Sequence, residues 1–375
     1  MSSTTPSTKP SFKPRPGIRS AGNARQLSAL LWDSHFLRAC RGEPTKRTPV
    51  WLMRQAGRYM QHYRGIRSGR SFLDLCKDPA MATAVTLYAR EWLGVDAAII
   101  FSDILVVLEA LGLPLAFAAG DGPTLSRPVR DAAAVDALGD PIKAAEQLSY
   151  VYEAIRRTVA GLPADIPLIG FCGAPYTLAA YAIEGGSSRQ FAHTKTFMYS
   201  DSGAWHALQQ RLVATLIPYL NAQIAAGASC VQVFDSWVGH LTRADFIEFV
   251  QPHLTALVAG IVPGIPVILF GTETGHLSDL VAGCGADVIG VDTTTDLSAN
   301  WERCGGPGRI AVQGNLDPCL LLGPRDRLLA GADAVLKAVA GRPGHIFNLG
   351  HGVIKETNPE QAKALVEHVH ARTQR

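Results

Sequence analysis

Two arginines four positions apart, Arg54 and Arg58, are separated by Gln55, Ala56 and Gly57. Small residues between two guanidiniums let the backbone come close to a ligand, and each planar fork suits a carboxylate or a phosphate. The same spacing on a helix would give two solvated surface arginines, so the pair alone leaves both readings open. Asp103 lies in the apolar frame Ile99-Ile100-Phe101-Ser102-Asp103-Ile104-Leu105. A carboxylate there must find donors or titrate outside its usual range, so it reads as functional or paired, with a helix N-cap as the structural alternative. Tyr176 and Tyr181 offer apolar rings with polar tips that could face a pocket. Ser236 has no glycine two residues before it, as a nucleophile elbow requires, which leaves it a hydrogen-bonding role. His351 stands between Gly350 and Gly352, an arrangement that suits ligand contact. The other ten histidines and the seven cysteines form no metal pattern: H-E-x-x-H, His-x-Cys and C-x-x-C are all absent.

These residues need elements to hold them, and each follows a short apolar run. Eight such runs recur, at 50–53, 97–101, 167–172, 230–234, 266–270, 288–291, 309–313 and 345–349. Between them lie stretches with helical spacing, such as 204–226 and 245–259, often closed by glycine (Gly227, Gly260, Gly283, Gly341). Continuous apolar strands alternating with helices predict parallel strands buried on both faces, and eight such units favour one (β/α)₈ TIM barrel. An open doubly wound sheet is the rival, but it would carry G-x-G-x-x-G after the first strand, where Arg54-Gln-Ala-Gly-Arg58 stands instead. In a barrel the active site lies at the carboxyl ends of the strands, where Arg54, Asp103, Tyr181, Ser236 and His351 all fall. The stretch 112–128 reads as an insertion after the second strand.

Of 375 residues 47% are hydrophobic and 18% charged, which excludes a wholly disordered or collagen-like chain. The formal net charge is +3, but Lys9, Lys13, Arg15, Arg19 and Arg25 precede the first acidic residue, and removing those five charges leaves −2. A general basic field for nucleic acid is therefore not expected. One local cluster is: between positions 44 and 73 there is no acid, while Lys46, Arg47, Arg54, Arg58, Arg64, Arg67 and Arg70 are all basic. Residues 1–25, rich in Ser, Thr, Pro and basic residues, read as a disordered tail, with the barrel filling 26–375. The tail's composition would also suit organellar import, although its prolines spoil an amphipathic helix. Scattered cysteines fit a reducing, cytoplasmic compartment. The longest uncharged stretch, 253–272, has Pro263, Gly264 and Pro266 in its middle and reads as helix, turn and strand rather than a membrane span.

The run Thr48-Pro-Val-Trp-Leu-Met-Arg-Gln-Ala-Gly-Arg-Tyr59, with Ile-Ile-Phe-Ser-Asp-Ile-Leu105, Gly173-Ala-Pro-Tyr-Thr-Leu178, Gly314-Asn-Leu-Asp-Pro318 and Asn348-Leu-Gly-His-Gly352, resembles the uroporphyrinogen decarboxylase family over about 35–370. That resemblance implies a single barrel, usually a homodimer, which takes the four acetate side chains of uroporphyrinogen III to methyl groups without metal, flavin or pyridoxal. It implies that Asp103 gathers the pyrrole N–H groups and stabilises the protonated pyrrole. Arg54 and Arg58 would pair with carboxylates, Arg54 being also the family's proposed proton donor. Gln55, Ala56 and Gly57 would complete that loop, Tyr181, Ser236 and His351 would contact substrate, and Arg67 is a weaker candidate. Two departures stand out: Met60-Gln61 replaces the common Leu-Pro, and Tyr176 replaces Trp. Two other functions compete. A zinc-dependent methyltransferase on the same barrel is disfavoured by Gly271-Thr272-Glu273 after the fifth run, and a non-catalytic tetrapyrrole carrier by Asp103 together with both arginines.

Overall fold

The computed structural model describes residues 27–117 and 122–375; the tail expected over 1–25 lies outside them. Seven parallel strands form one curled sheet in the order β1 (Ala98–Ile99), β4 (Leu168–Gly173), β5 (Cys230–Asp235), β6 (Val267–Gly271), β7 (Val288–Gly290), β8 (Ala311–Gln313) and β9 (His345–Ile346). The two remaining strands, β2 (Leu115–Phe117) and β3 (Pro123–Leu125), pair antiparallel as a separate ribbon. That ribbon is the insertion expected over 112–128.

The first apolar run does not extend as a strand, yet it closes the ring. Val50 bridges Phe347 in parallel; Trp51 N–H donates to Phe347 O, and Phe347 N–H to Pro49 O (3.3 and 2.9 Å). On its other side Asp96 N–H donates to Val50 O at 2.8 Å, and Val50 N–H donates to the Asp96 carboxylate, also at 2.8 Å. Proline at 49 removes one ladder donor and the turn at 53–54 ends the run at once, so only a single bridge forms.

Inside the ring, Trp51 Nε1 donates to Gln313 Oε1 (2.8 Å), and Gln313 Nε2 donates to Gln232 Oε1 (3.1 Å). Residues from the first run, β8 and β5 can meet only across the interior, so Gln232 points inward. Phe234, two residues on, and Phe171, the register partner of Gln232 on β4, share that face.

Helices follow each strand and cover the outside. Asp78 caps Pro79–Leu93 by accepting from Ala80 and Met81 N–H, and Gly94 ends it with φ +70°. Ser202–Ala226 is capped by Asp201 and ended by Gly227. Gly260 and Gly283, expected as terminators, instead lie inside the final turns of their helices, and at the end of Arg325–Val339 the left-handed position falls on Ala340, just before Gly341. The helix expected over 245–259 contains a π-turn, Phe246–Val250, just before Pro252, whose missing N–H frees a carbonyl of the ladder. The stretch 253–272 is the expected helix, turn and strand; among the described residues no helix is long and apolar enough to cross a membrane.

Candidate active site

The carboxyl ends of the strands open at one end of the ring, and the backbone brings the first and last runs together there. Met53 N–H donates to Asn348 Oδ1 (3.0 Å), and Val353 N–H donates to Met53 O (2.8 Å). Arg54, the next residue, adopts φ +61°, an uncommon conformation for a side-chain-bearing residue, in a turn rather than a helix. The reading of Arg54 and Arg58 as one face of a surface helix therefore falls away. Both glycines around His351 have a steric reason. A Cβ at Gly352 would lie 2.7 Å from Arg54 Cγ, and one at Gly350 would overlap the backbone at Thr293.

Asp103 stands just past β1, where Phe101 N–H is held by Thr86 Oγ1 (3.1 Å). Its Oδ1 accepts from Leu105 N–H at 2.8 Å, a local turn that precedes the helix Val106–Ala110 rather than capping it. This is the only hydrogen bond to Asp103 among the described residues, so Oδ2 is available to a ligand. Some of the side chain stays exposed to the mouth, yet burial dominates its titration and pushes the carboxyl up to about 6, with Leu105 N–H and the Arg54 charge drawing it back. Tyr181 is pushed up to about 12 by burial and by Asp103, against Trp237 and Arg54. His351 is lowered by burial and then by Arg54, with the Gly352 backbone and Asp292 opposing, which makes it a neutral imidazole at neutral pH. These mutual effects put Arg54, Asp103, Tyr181 and His351 around one space.

Tyr181 is on the helix Pro175–Glu184 that follows β4, and Ser236 directly follows β5. Tyr176, expected at the mouth, is instead fully buried with its ring 5.9 Å from Trp205. At the second position of that helix it faces the outer helical layer, and only Tyr181 reaches the opening. Beneath the opening three phenylalanines make an apolar floor: Phe171 and Phe234 meet edge to face at 5.6 Å, and Phe234 and Phe270 at 6.0 Å. None of the three stood out as a site residue in the sequence.

The basic cluster divides. Arg47 pairs with Asp96 at the ring seam (2.8 Å). Arg64 Nη1 donates to both Arg58 O and Tyr59 O (2.9 Å each), fixing the loop while the Arg58 side chain stays exposed. Arg67 lies against Tyr63 and over the Phe72 ring (5.6 Å), and Arg54 is the cation whose charge registers at Asp103. Gln55 turns inward, accepting from Leu52 N–H and donating to Ala97 O (3.2 Å each), and Gly57 sits where a Cβ would press on Arg54 O at 3.1 Å. Ala56, partly buried, completes the turn.

Asp292, after β7, was also missed. It is 4% exposed, accepts from the Thr294 backbone and from the Thr294 and Thr295 hydroxyls and Glu273 N–H, and its charge reaches His351. Beyond it a cavity of about 330 Å³, lined by Glu273, His276, Thr294, Thr295, Asn300 and Arg303 among others, lies next to Asp292 without including Arg54, Asp103, Tyr181, Ser236 or His351. Among the described residues no group of three or more His, Cys, Asp or Glu side chains could hold a metal ion.

The family model described as uroporphyrinogen decarboxylase (URO-D) matches residues 32–372. The chain is 49% identical to a uroporphyrinogen decarboxylase of Sorangium cellulosum, over 90% of this chain and 95% of that one. It is 47% identical to one of a Roseiflexus species, over 91% and 99%. Among solved structures it is similar in fold to a methyltransferase from Methanosarcina mazei, with a TM-score of 0.74 at 21% identity, covering 90% of this chain and 98% of that one.

Proposed function

Because this chain belongs to the uroporphyrinogen decarboxylase family, we propose that the barrel mouth is its decarboxylation site, with Asp103, Arg54 and Arg58 as the working groups. The enzyme is a carboxy-lyase of tetrapyrrole biosynthesis, taking the four acetate side chains of uroporphyrinogen III to methyl groups and so giving coproporphyrinogen III. Loss of CO₂ from an acetate leaves an electron pair that needs a sink. Protonation of the pyrrole carbon next to the acetate supplies one: the C–C bond breaks, its electrons flow into the cationic ring, and a second proton at the exocyclic carbon gives the methyl group. The ring then returns its added proton. The substrate is thus its own electron sink.

Four pyrrole N–H groups converge on the free oxygen of Asp103, whose charge stabilises the protonated ring. Arg54 and Arg58 pair with substrate carboxylates, and Arg54 would also deliver a proton, against the guanidinium's hold on its own to about pH 12 or above. Gln55, Ala56 and Gly57 shape the loop that carries them. Tyr181, Ser236 and neutral His351 hold acetate or propionate groups by hydrogen bonds, over the phenylalanine floor. The observation that carries these assignments is a single carboxylate with one free oxygen, set at an apolar barrel mouth within the field of one guanidinium. We extend the proposal to a cytoplasmic homodimer with the barrel, 26–375, as the catalytic unit and no nucleic-acid partner.

Anaerobic incubation with uroporphyrinogen III, without added metal or cofactor, tests it when the oxidised porphyrins are separated by chromatography. Stepwise loss of carboxyl groups down to four is expected. Recovery of the eight-carboxyl porphyrin alone would overturn the reading.

A further inference from the structure

The hydroxyl of Thr177 uses both of its hydrogen-bonding capacities on the chain segment that carries Ser236. It donates to Asp235 Oδ1 at 2.7 Å and accepts from Trp237 N–H at 3.3 Å, so it grips the residue on each side of the serine. Ala174 N–H adds a third tie, donating to Phe234 O at 2.8 Å. One helical turn beyond Thr177 on the same helix lies Tyr181, whose ring meets the Trp237 indole edge to face at 5.7 Å. Thr177 is fully buried and Asp235 is 6% exposed, so both lie beneath the mouth rather than in it. The second carboxylate oxygen, Oδ2, is buried without a hydrogen-bond partner, and Asp235 borders a small, mostly apolar cavity whose lining includes Val233, Val238, Leu254, Leu269 and the one hydroxyl-bearing residue Thr274. A carboxylate in that setting is expensive for the fold, and an apolar residue would pack there more favourably. What the acid supplies is an acceptor that fixes the direction of the Thr177 O–H.

We infer that Thr177 and Asp235 are positioning residues for the decarboxylation: their hydroxyl–carboxylate relay sets Ser236 and, through the Trp237 ring, Tyr181 against the tetrapyrrole side chains. The inference rests on the reading that Ser236 and Tyr181 touch substrate. Packing and relay make opposite demands on position 177. Valine keeps the shape and loses the hydroxyl; serine keeps the hydroxyl and loses a methyl group.

The test compares steady-state kinetics of Thr177→Val, Thr177→Ser, Asp235→Leu and the Val/Leu double variant, with thermal unfolding of each. Thr177→Val and Asp235→Leu should each raise KM about tenfold, as expected for one lost hydrogen-bonded contact. The double variant should be no worse than the poorer single, because both remove the same relay. Thr177→Ser should stay within about twofold of the wild type. A serine variant worse than the valine variant would assign position 177 to packing and overturn the proposal. Wild-type KM in Thr177→Val, with Tyr181→Phe and Ser236→Ala impaired, would overturn it while leaving the substrate contacts standing. Wild-type kinetics in Tyr181→Phe and Ser236→Ala as well would sink the contacts and the positioning together.

Discussion

The aliphatic part of Arg54 lies over Gly352, so closely that no side chain fits at 352 without displacing it. Gly352 has no positive φ, so alanine meets no backbone strain there, and the flexible arginine is what must move. Gly352→Ala should therefore lower kcat/KM by roughly 10- to 100-fold, about 1.4–2.7 kcal/mol of transition-state stabilisation, with little change in unfolding temperature. Kinetics and calorimetry of the one variant check this; a large loss of stability with unchanged kcat/KM would show that Arg54 is not poised where activity needs it.

Burial holds the Asp103 carboxyl up at about 6, and its charged form is the one that can stabilise a cationic pyrrole. The sign follows directly. Below about pH 6 the group takes up a proton, and kcat/KM should fall about tenfold per pH unit on that limb. Removing the nearby guanidinium with Arg54→Met should move the limb of the residual activity to higher pH, since Arg54 draws the carboxyl down. A limb that stayed in place in that variant would separate the two groups. Asp103→Asn should lose nearly all turnover at every pH.

Asp235 behaves differently because its cost is to stability. Burial raises it to about 7, against its Thr177 hydrogen bonds. The folded state therefore binds the proton more tightly than the unfolded chain does, and this favourable contribution is complete below about pH 4 and lost as pH rises through 7. Asp235→Asn, neutral at all pH, should unfold at a higher temperature than the wild type at pH 8, with the gain shrinking at pH 5. Equal differences at the two pH values would remove the buried charge as the cause.

At the ring seam Asp96 accepts from Val50 N–H, Arg47 and His370 (2.8, 2.8 and 2.6 Å). Burial alone would raise its carboxyl, but the hydrogen bonds and charges of His370 and Arg47 hold it below the usual range. Its contribution is thus present above about pH 4 and lost as pH falls further. Asp96→Ala strands Arg47 and the Val50 amide and should cost about 3–5 kcal/mol, read as a lower denaturant midpoint with activity retained in the folded fraction.

The strands were legible because parallel strands buried on both faces leave continuous apolar runs, and all eight fall where the ring needs them. Only their extents differ: Pro49 and the turn at Arg54 reduce the first to a bridge. Helix ends were less legible. Left-handed caps depend on the tertiary fit of the last turn, and after Val339 the turn takes two residues, Ala340 at φ +52° and Gly341 at φ +67°. Most of the site's polar groups stood out from their positions after each run, since a charge or histidine there has no apolar role, but Asp292, directly after the run at 288–291, did not. The floor was not, because phenylalanine in an apolar run looks like core. Its signal was the recurrence of Phe101, Phe171, Phe234 and Phe270 at or next to the ends of successive runs. Tyr176 misled for the complementary reason: a tyrosine ring near a mouth is equally at home in packing, and Trp205 claimed it.

The seam also ties together residues at opposite ends of the barrel sequence. Thr48 N–H donates to Thr373 Oγ1, 325 residues along the chain, and Arg375 N–H to Lys46 O. During synthesis the first run therefore waits for its partners in β9 and the helix Pro359–Thr373 until residues 345–373 have been made. For that interval the first run can already join Asp96 beside β1, but its other edge, which Phe347 will occupy, stays unpaired, an open template for other chains. The same long-range closure that brings Arg54 beside His351 makes the newborn enzyme dependent on residues made long after Arg54.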